Sequence, residues 1–433
     1  MRFSLLSVIC LIGLHTAYSA RVVCYWDGRS FHREGVAKIT VEEIKPALTY
    51  CTHLIYGFAA IDDDDYHIEP IDKKLDTDKD NGHNQYKQVT DLKRSHPGLT
   101  VLLSVGGNAD TEDPEKYLTL LESKDHQTKF INSVKTFLTK HGFDGIDIAW
   151  QFPVVKEKKD RGIIGGFFHK VKKTFGSGVD DKAEEHKDQF VTLLRDMKSV
   201  LRTDNKIMTL GVLPHVNSTV YYDVKDILPY LEFINLWTVD FRTPKRTSDQ
   251  ADYAAPLYYQ YDRRPHQNID STVRWWKEQG AEPHKLIVGL PTYGRTWKTT
   301  LDSAISGVPP LVADGPGPAG THTKTEGLLA YYEICPRIVS PTNAKAPRDT
   351  LRRVTDPSKR LGTYGYHMPN KQKNEEEGIW VSFEEPETAA QKAQYVKQNG
   401  YGGVALIELS LDDPRGMCDG TKYPILKQAK VSL

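Results

Sequence analysis

The chain has 433 residues, and its 57 basic and 57 acidic side chains cancel, so no global field draws it to nucleic acid or an anionic membrane. With 39% hydrophobic and 10% aromatic residues, its composition is that of a folded globular protein and excludes the disordered class. Its length suits one large barrel domain with insertions or two ordinary domains.

In chain order, residues 1–19 read as a secretory signal: Arg2, the apolar run Leu5–Leu14, then Ala17-Tyr18-Ser19 before Ala20 as a small-residue cleavage site. The apolar run is too short to span a bilayer. No later segment is long and apolar enough either, so a soluble, exported mature protein without membrane insertion is expected. Cys10 lies in this leader, leaving Cys24, Cys51, Cys335 and Cys418. An even set in an exported chain points to two disulfides, with the connectivity open. No cysteine pair has ligand-like close spacing and no histidines show it, so neither metal nor cofactor is expected. Asn217-Ser218-Thr219 is the N-glycosylation sequon, placed just after a strand-like run.

Short apolar, β-branched runs alternate with segments of helical period. Strands are predicted at Val22–Tyr25, His53–Ala59, Thr100–Val105, Gly145–Trp150, Ile207–Leu213, Phe233–Trp237, Leu286–Leu290 and Gly403–Leu406. Thr40-Val41-Glu42-Glu43 opens the first helix as a capping box. Phe130, Val134, Phe137 and Leu138 form a stripe on the helix before Gly142, and similar stripes run through Phe190–Leu201 and Ala389–Val396. Eight strand–helix units predict a (β/α)8 TIM barrel with its function at the C-terminal strand ends. An open doubly wound sheet would want a Gly-rich phosphate loop, which Ser104-Val105-Gly106-Gly107 does not match. Two stretches interrupt the alternation. Residues 298–378 read as an inserted α+β lobe, dividing the barrel into 20–297 and 379–433. Residues 152–182 form a loop insertion bearing Lys156, Lys158, Lys159, Arg161, His169, Lys170, Lys172 and Lys173 around Ile163–Phe168.

The fourth strand carries the chemical clue. Residues two apart share a face, so Asp147, Ala149 and Gln151 project together, opposite Ile146, Ile148 and Trp150. A glycosidase strand of this kind needs a row of carboxyl groups ending in a proton donor. Here one carboxylate is followed by a methyl group and an amide, and an amide is no general acid near neutral pH.

Asp144–Gln151 resembles the Asp-x-x-Asp-x-Asp-x-Glu signature of family 18 glycoside hydrolases, the chitinases and chitinase-like proteins. Ser104–Gly107, Gly289–Arg295 and Gly402–Val404 resemble that family's third, seventh and last strand motifs. Within it, Phe143–Pro153, the basic insertion that follows and the ending Cys418 to Tyr423–Leu426 are similar to the imaginal disc growth factors. The resemblance implies a barrel with an α+β insertion after the seventh strand, and disulfides Cys24–Cys51 and Cys335–Cys418. It makes Asp144, Asp147, Ala149 and Gln151 degenerate catalytic positions, with none left catalytic: the family's proton donor falls on Gln151 and its orienting Asp on Ala149. A lost general acid costs about 10²–10⁴ in rate. Val239, Ile407 and Asn108 stand where the family has, respectively, a substrate-binding Tyr, the Trp beneath the sugar and a common Trp.

Tyr25, Trp26, Trp237, Tyr293 and Trp297 are either a sugar-cleft lining or ordinary core fillers; Asp240 and Arg295 are either glycan contacts or a structural ion pair. Asp144 and Asp147 are read first as acceptors that hold the barrel. The resemblance implies a secreted, monomeric, non-catalytic growth factor that promotes proliferation, polarisation and motility through an unidentified cell-surface receptor, in cooperation with insulin-like signalling components. The alternative reading is a lectin for chitin-like N-acetylated glycans in cuticle formation or wound repair, and the least favoured a residual chitinase. The basic loop 152–182 is the expected contact for a receptor or an acidic glycan.

Overall fold

The computed structural model describes residues 20–111, 113, 115–153, 180–303, 306–338 and 350–433. The leader at 1–19 and residues 154–179 of the basic loop lie outside the described residues.

All eight predicted strands form. They run Arg21–Asp27, His53–Ile61, Thr100–Gly106, Gly145–Ala149, Ile207–Val212, Ile234–Leu236, Leu286–Pro291 and Gly403–Ile407. Each pairs in parallel with its successor, and the eighth closes on the first, giving the expected (β/α)8 barrel. Parallel strands covered on both faces should be apolar throughout, and Leu286–Pro291 is buried along its whole length.

The helices obey the same economy. In Lys124–His141, Phe130, Ile131, Val134 and Leu138 are buried against the barrel. Gly142 ends that helix at φ 79°, a left-handed conformation that favours glycine, and its N–H donates to Leu138 O at 3.0 Å. Glu43 accepts from the Thr40 N–H at 2.9 Å, completing the box that starts Val41–Ile44.

The inserted lobe is a five-stranded antiparallel sheet. Its order is Leu328–Ala330, Tyr293–Thr300, Glu377–Phe383, Thr363–His367 and Arg352–Thr355. The boundaries read at 298 and 378 fall inside Tyr293–Thr300 and Glu377–Phe383. Only Thr292 separates the seventh barrel strand from the lobe's first, so no loop marks the passage in the sequence. Trp297, Trp380, Tyr364 and Tyr253 make a separate lobe core, with Trp297 edge-on to Trp380 at 5.8 Å.

Two disulfides secure the assembly. Cys24–Cys51 ties the first strand to the end of its crossover helix, and Cys335–Cys418 ties the lobe to the C-terminal segment across 83 residues. In the chain-entropy picture the larger loop contributes about 4–5 kcal/mol.

Asp412 fixes the last helix, Pro424–Ser432, by accepting from Ile425 N (3.3 Å) and Leu426 N (3.0 Å). Burial outweighs these donors and pushes its carboxyl up to about 7. The folded state therefore holds a proton that the unfolded chain has released. This contribution to stability is full below the ordinary aspartate range and is lost as pH rises through about 7. Asp412→Asn should keep an acceptor at the helix start and flatten the stability profile between about pH 4 and 7, by up to about 1.4 kcal/mol per pH unit. Guanidinium unfolding across that range checks it; an unchanged slope refutes it.

Candidate functional site: the mouth of the barrel

Inside the barrel, the inward positions of five strands converge on one side chain. Asp147, on the fourth strand, is fully buried. Its Oδ2 accepts from the Tyr25 hydroxyl (2.9 Å) and the Ser104 hydroxyl (2.9 Å). Its Oδ1 accepts from the Thr209 hydroxyl (2.7 Å) and Asn235 Nδ2 (3.1 Å). The first, third, fifth and sixth strands each contribute one donor. Burial raises the carboxyl of Asp147 above its ordinary range, and the four donors pull against that shift. The strand alternation holds: Trp150 faces the helices, against Tyr117, Phe130 and Phe190.

Above Asp147 the carboxyl row stops. Ala149 is wholly buried, and its carbonyl accepts from Gly107 N at 2.8 Å. Gln151 is 5% exposed, and its Nε2 donates to the carbonyl of Gly107. The amide at the strand's end is thus committed to the turn after the third strand. Gly107 itself has φ 59°, and any Cβ there would collide with the Phe58 ring. Phe58, Trp237 and Tyr25 form an aromatic group at this level: Tyr25 lies edge-on to Trp237 at 5.0 Å, and Phe58 lies 6.3 Å from Trp237. Val239 and Ile407 are buried aliphatic neighbours of the rim.

Asp144 is not part of this cluster. It lies at the opposite, N-terminal end of the strand, where it accepts from Lys93 Nζ (2.7 Å) and Val101 N (2.9 Å). Trp26 and Trp297 are also distant from a solvent path. Both are 0% exposed, with their indole N–H groups donating to Ser30 Oγ (3.0 Å) and Thr247 O (2.8 Å). Tyr25, Trp237 and Tyr293 are buried as well.

On the lobe side, Asp240 and Arg295 form a bidentate pair at 2.7 and 2.6 Å, and the Tyr293 hydroxyl donates to the same carboxylate at 2.9 Å. Arg246 donates to the Asp240 carbonyl. Burial alone would lower the Arg295 guanidinium; the Asp240 carboxylate outweighs it and holds Arg295 above its ordinary value. Asn217 caps the short helix Ser218–Tyr221, its Oδ1 accepting from Thr219 N (3.1 Å) and Thr219 Oγ1 (2.7 Å).

Sequence reasoning passed over several of these residues. Ser104, Thr209 and Asn235 are polar residues at inward positions of otherwise apolar strands, and that pattern could have identified the donors to Asp147. Glu408 follows the eighth strand, accepts from Asp27 N (3.3 Å) and Ser410 N (3.2 Å), and pairs with Arg33 at 3.5 Å. Burial raises its carboxyl against the pull of Arg33. The rim carboxylates Asp240 and Glu408 are thus each engaged by an arginine, and Asp147 by four neutral donors. The arrangement binds its own groups to one another, and the fourth strand ends in an amide committed to the Gly107 carbonyl.

The profile of "Glycosyl hydrolases family 18" matches residues 21–412. The chain is 48% identical over 437 residues to "Chitinase-like protein EN03" of Bombyx mori, covering 99% of both chains. It is 44% identical over 425 residues to "Imaginal disk growth factor 6" of Drosophila melanogaster, covering 95% of this chain and 93% of that one. Among solved structures, human YKL-39, described as "a pseudo-chitinase with retained chitooligosaccharide binding properties", superposes with a TM-score of 0.75. The two are 25% identical, over 96% of this chain and 99% of that one.

Asp147→Ala should destabilise the protein by at least about 4 kcal/mol, because it strands four buried donors at once. Asp147→Asn should cost much less, since the Tyr25 and Ser104 hydroxyls can turn to accept from the new amide. Equilibrium unfolding of the two variants checks the order; equal losses would show that the donors are not held by this carboxylate.

Proposed function

This chain belongs to family 18 of the glycosyl hydrolases, with imaginal disc growth factors and chitinase-like proteins among its near relatives, and from that premise we propose a secreted, non-catalytic growth factor. The observation that carries the reading is Gln151 at the end of the fourth strand, where the family pattern places its proton donor. Protonation of a leaving glycosidic oxygen requires an acid at that position. The carboxamide supplies none, and Ala149 removes the carboxylate that would orient an acetamido group. The growth-factor name of a relative 44% identical over nearly the whole chain supports the signalling role.

Export rests on the leader at 1–19 together with these relatives; among the described residues no helix is long and apolar enough to cross a membrane. The proposed partner is a cell-surface receptor acting alongside insulin-like signalling, engaged by the basic loop 152–182, and the protein acts as a monomer. Asn217 is proposed to carry the glycan.

A second reading is favoured by one observation: a pseudo-chitinase of the same fold retains chitooligosaccharide binding. Here the aromatics of the mouth, Tyr25, Trp237 and Tyr293, with Asp240 and Arg295, would have to turn outward to meet a sugar, whereas Trp26 and Trp297 are spent on the core. Retention on chitin beads, competed by soluble chitotetraose, would support it.

Gln151→Glu should not restore hydrolysis. An ionised carboxylate at 151 would face the Gly107 carbonyl, acceptor against acceptor, and Ala149, Val239 and Ile407 would still hold the sugar poorly. A fluorogenic chitotrioside assay should stay at background for the wild type and the variant. A rise of about 10²-fold or more on this single change would overturn the non-catalytic reading.

A further inference from the structure

A second cluster of exposed side chains is made of residues other than those assigned to the mouth. After the sixth strand the chain runs through Tyr258-Tyr259-Gln260-Tyr261-Asp262-Arg263-Arg264, and the lobe presents Asp356-Pro357-Ser358-Lys359-Arg360 beside it. The two loops are one face: Tyr258 N donates to Arg360 O at 2.8 Å, the Arg360 guanidinium donates to Tyr259 O at 3.4 Å, and its carbon lies 4.8 Å over the Tyr258 ring. Both loops are internally fixed. Asp356 accepts from Ser358 N, Arg360 N and Leu361 N at 2.8–3.1 Å, and the Tyr259 hydroxyl donates to Tyr261 O at 2.8 Å.

This frame holds Tyr261 93% exposed and Tyr259 36% exposed. Arg264, Lys359 and Arg360 are exposed. Of the neighbouring acids, Asp252 lies 3.0 Å from Arg263 and 3.6 Å from Arg242, and Asp262 also pairs with Arg263, while the Asp356 carboxylate is held by N–H groups of its own turn. Among the described residues no carboxylate pairs with Arg264 or Lys359. On a chain of zero net charge, this is local surplus cation beside bare aromatic rings.

We infer that this face binds a sulfated polysaccharide. Guanidinium forks match sulfate and carboxylate oxygens bidentately. A tyrosine ring held in solvent offers a stacking face and a hydroxyl to a pyranose. The exposed rings are tyrosines rather than aliphatic wedges, which favours a glycan over a lipid surface. The site shares no residue with the candidate positions at the mouth and stands whether or not the mouth binds a sugar.

The full-length protein would be titrated with a heparin-derived octasaccharide and its desulfated counterpart, in stepped NaCl. Expected are binding of the sulfated chain alone, weakening with salt, and a loss of about tenfold or more in Arg264→Ala/Arg360→Ala. Tyr261→Ala should weaken binding while leaving the salt dependence unchanged. Arg264→Ala alone touches no ion pair, so it keeps the test valid if the double variant melts early; it should lose severalfold. Unchanged affinity in these variants, with loss only in Lys156→Ala/Lys158→Ala/Lys159→Ala, would overturn the assignment. So would failure of the octasaccharide to bind, or binding to phosphatidylserine vesicles that the octasaccharide does not displace.

Discussion

A carboxylate sealed inside a barrel must be supplied with donors or be protonated, and Asp147 meets this demand with one donor from each of four other strands. The requirement acts on sequence far from residue 147: Tyr25, Ser104, Thr209 and Asn235 are all fixed by it. It also gives the aspartate on this strand a structural role of its own. Asp147 closes the interior of the barrel, so its loss would be a loss of structure. Ala149 and Gln151 sit above it, where nothing in the fold demands an acid.

Much of this architecture was legible from periodicity. The eight strands appear where apolar β-branched runs place them, and Gly142 ends its helix because a left-handed residue was needed there. The alternation around Asp147 correctly separated the inner face from Trp150 and the helices. The limits of the lobe were less legible, because the seventh barrel strand passes into the lobe sheet with one residue between them and no turn chemistry to read.

At the site, residue identity was legible and engagement was not. The sequence shows an amide at 151; only the fold shows that amide spent on the Gly107 carbonyl. Aromatic candidates divided for the same reason. Trp26 and Trp297 look like cleft residues by position near strand ends, yet each has an indole N–H satisfied inside the protein and no exposed surface. The Asp240–Arg295 pair was visible only as two opposite charges. Its bidentate geometry, which joins barrel to lobe, depends on tertiary approach across 55 residues.

The disulfide between Cys335 and Cys418 bears on how the protein endures outside its folding compartment. The intervening segment includes the exposed Ser358–Arg360 turn, the helix Pro386–Gln398 and the eighth strand. A single protease cut anywhere along it would leave both fragments on one covalent body, with the barrel's closing strand still tethered at the far end. Nicking there need not mean dissociation, and a clipped molecule retains a route back to the intact arrangement.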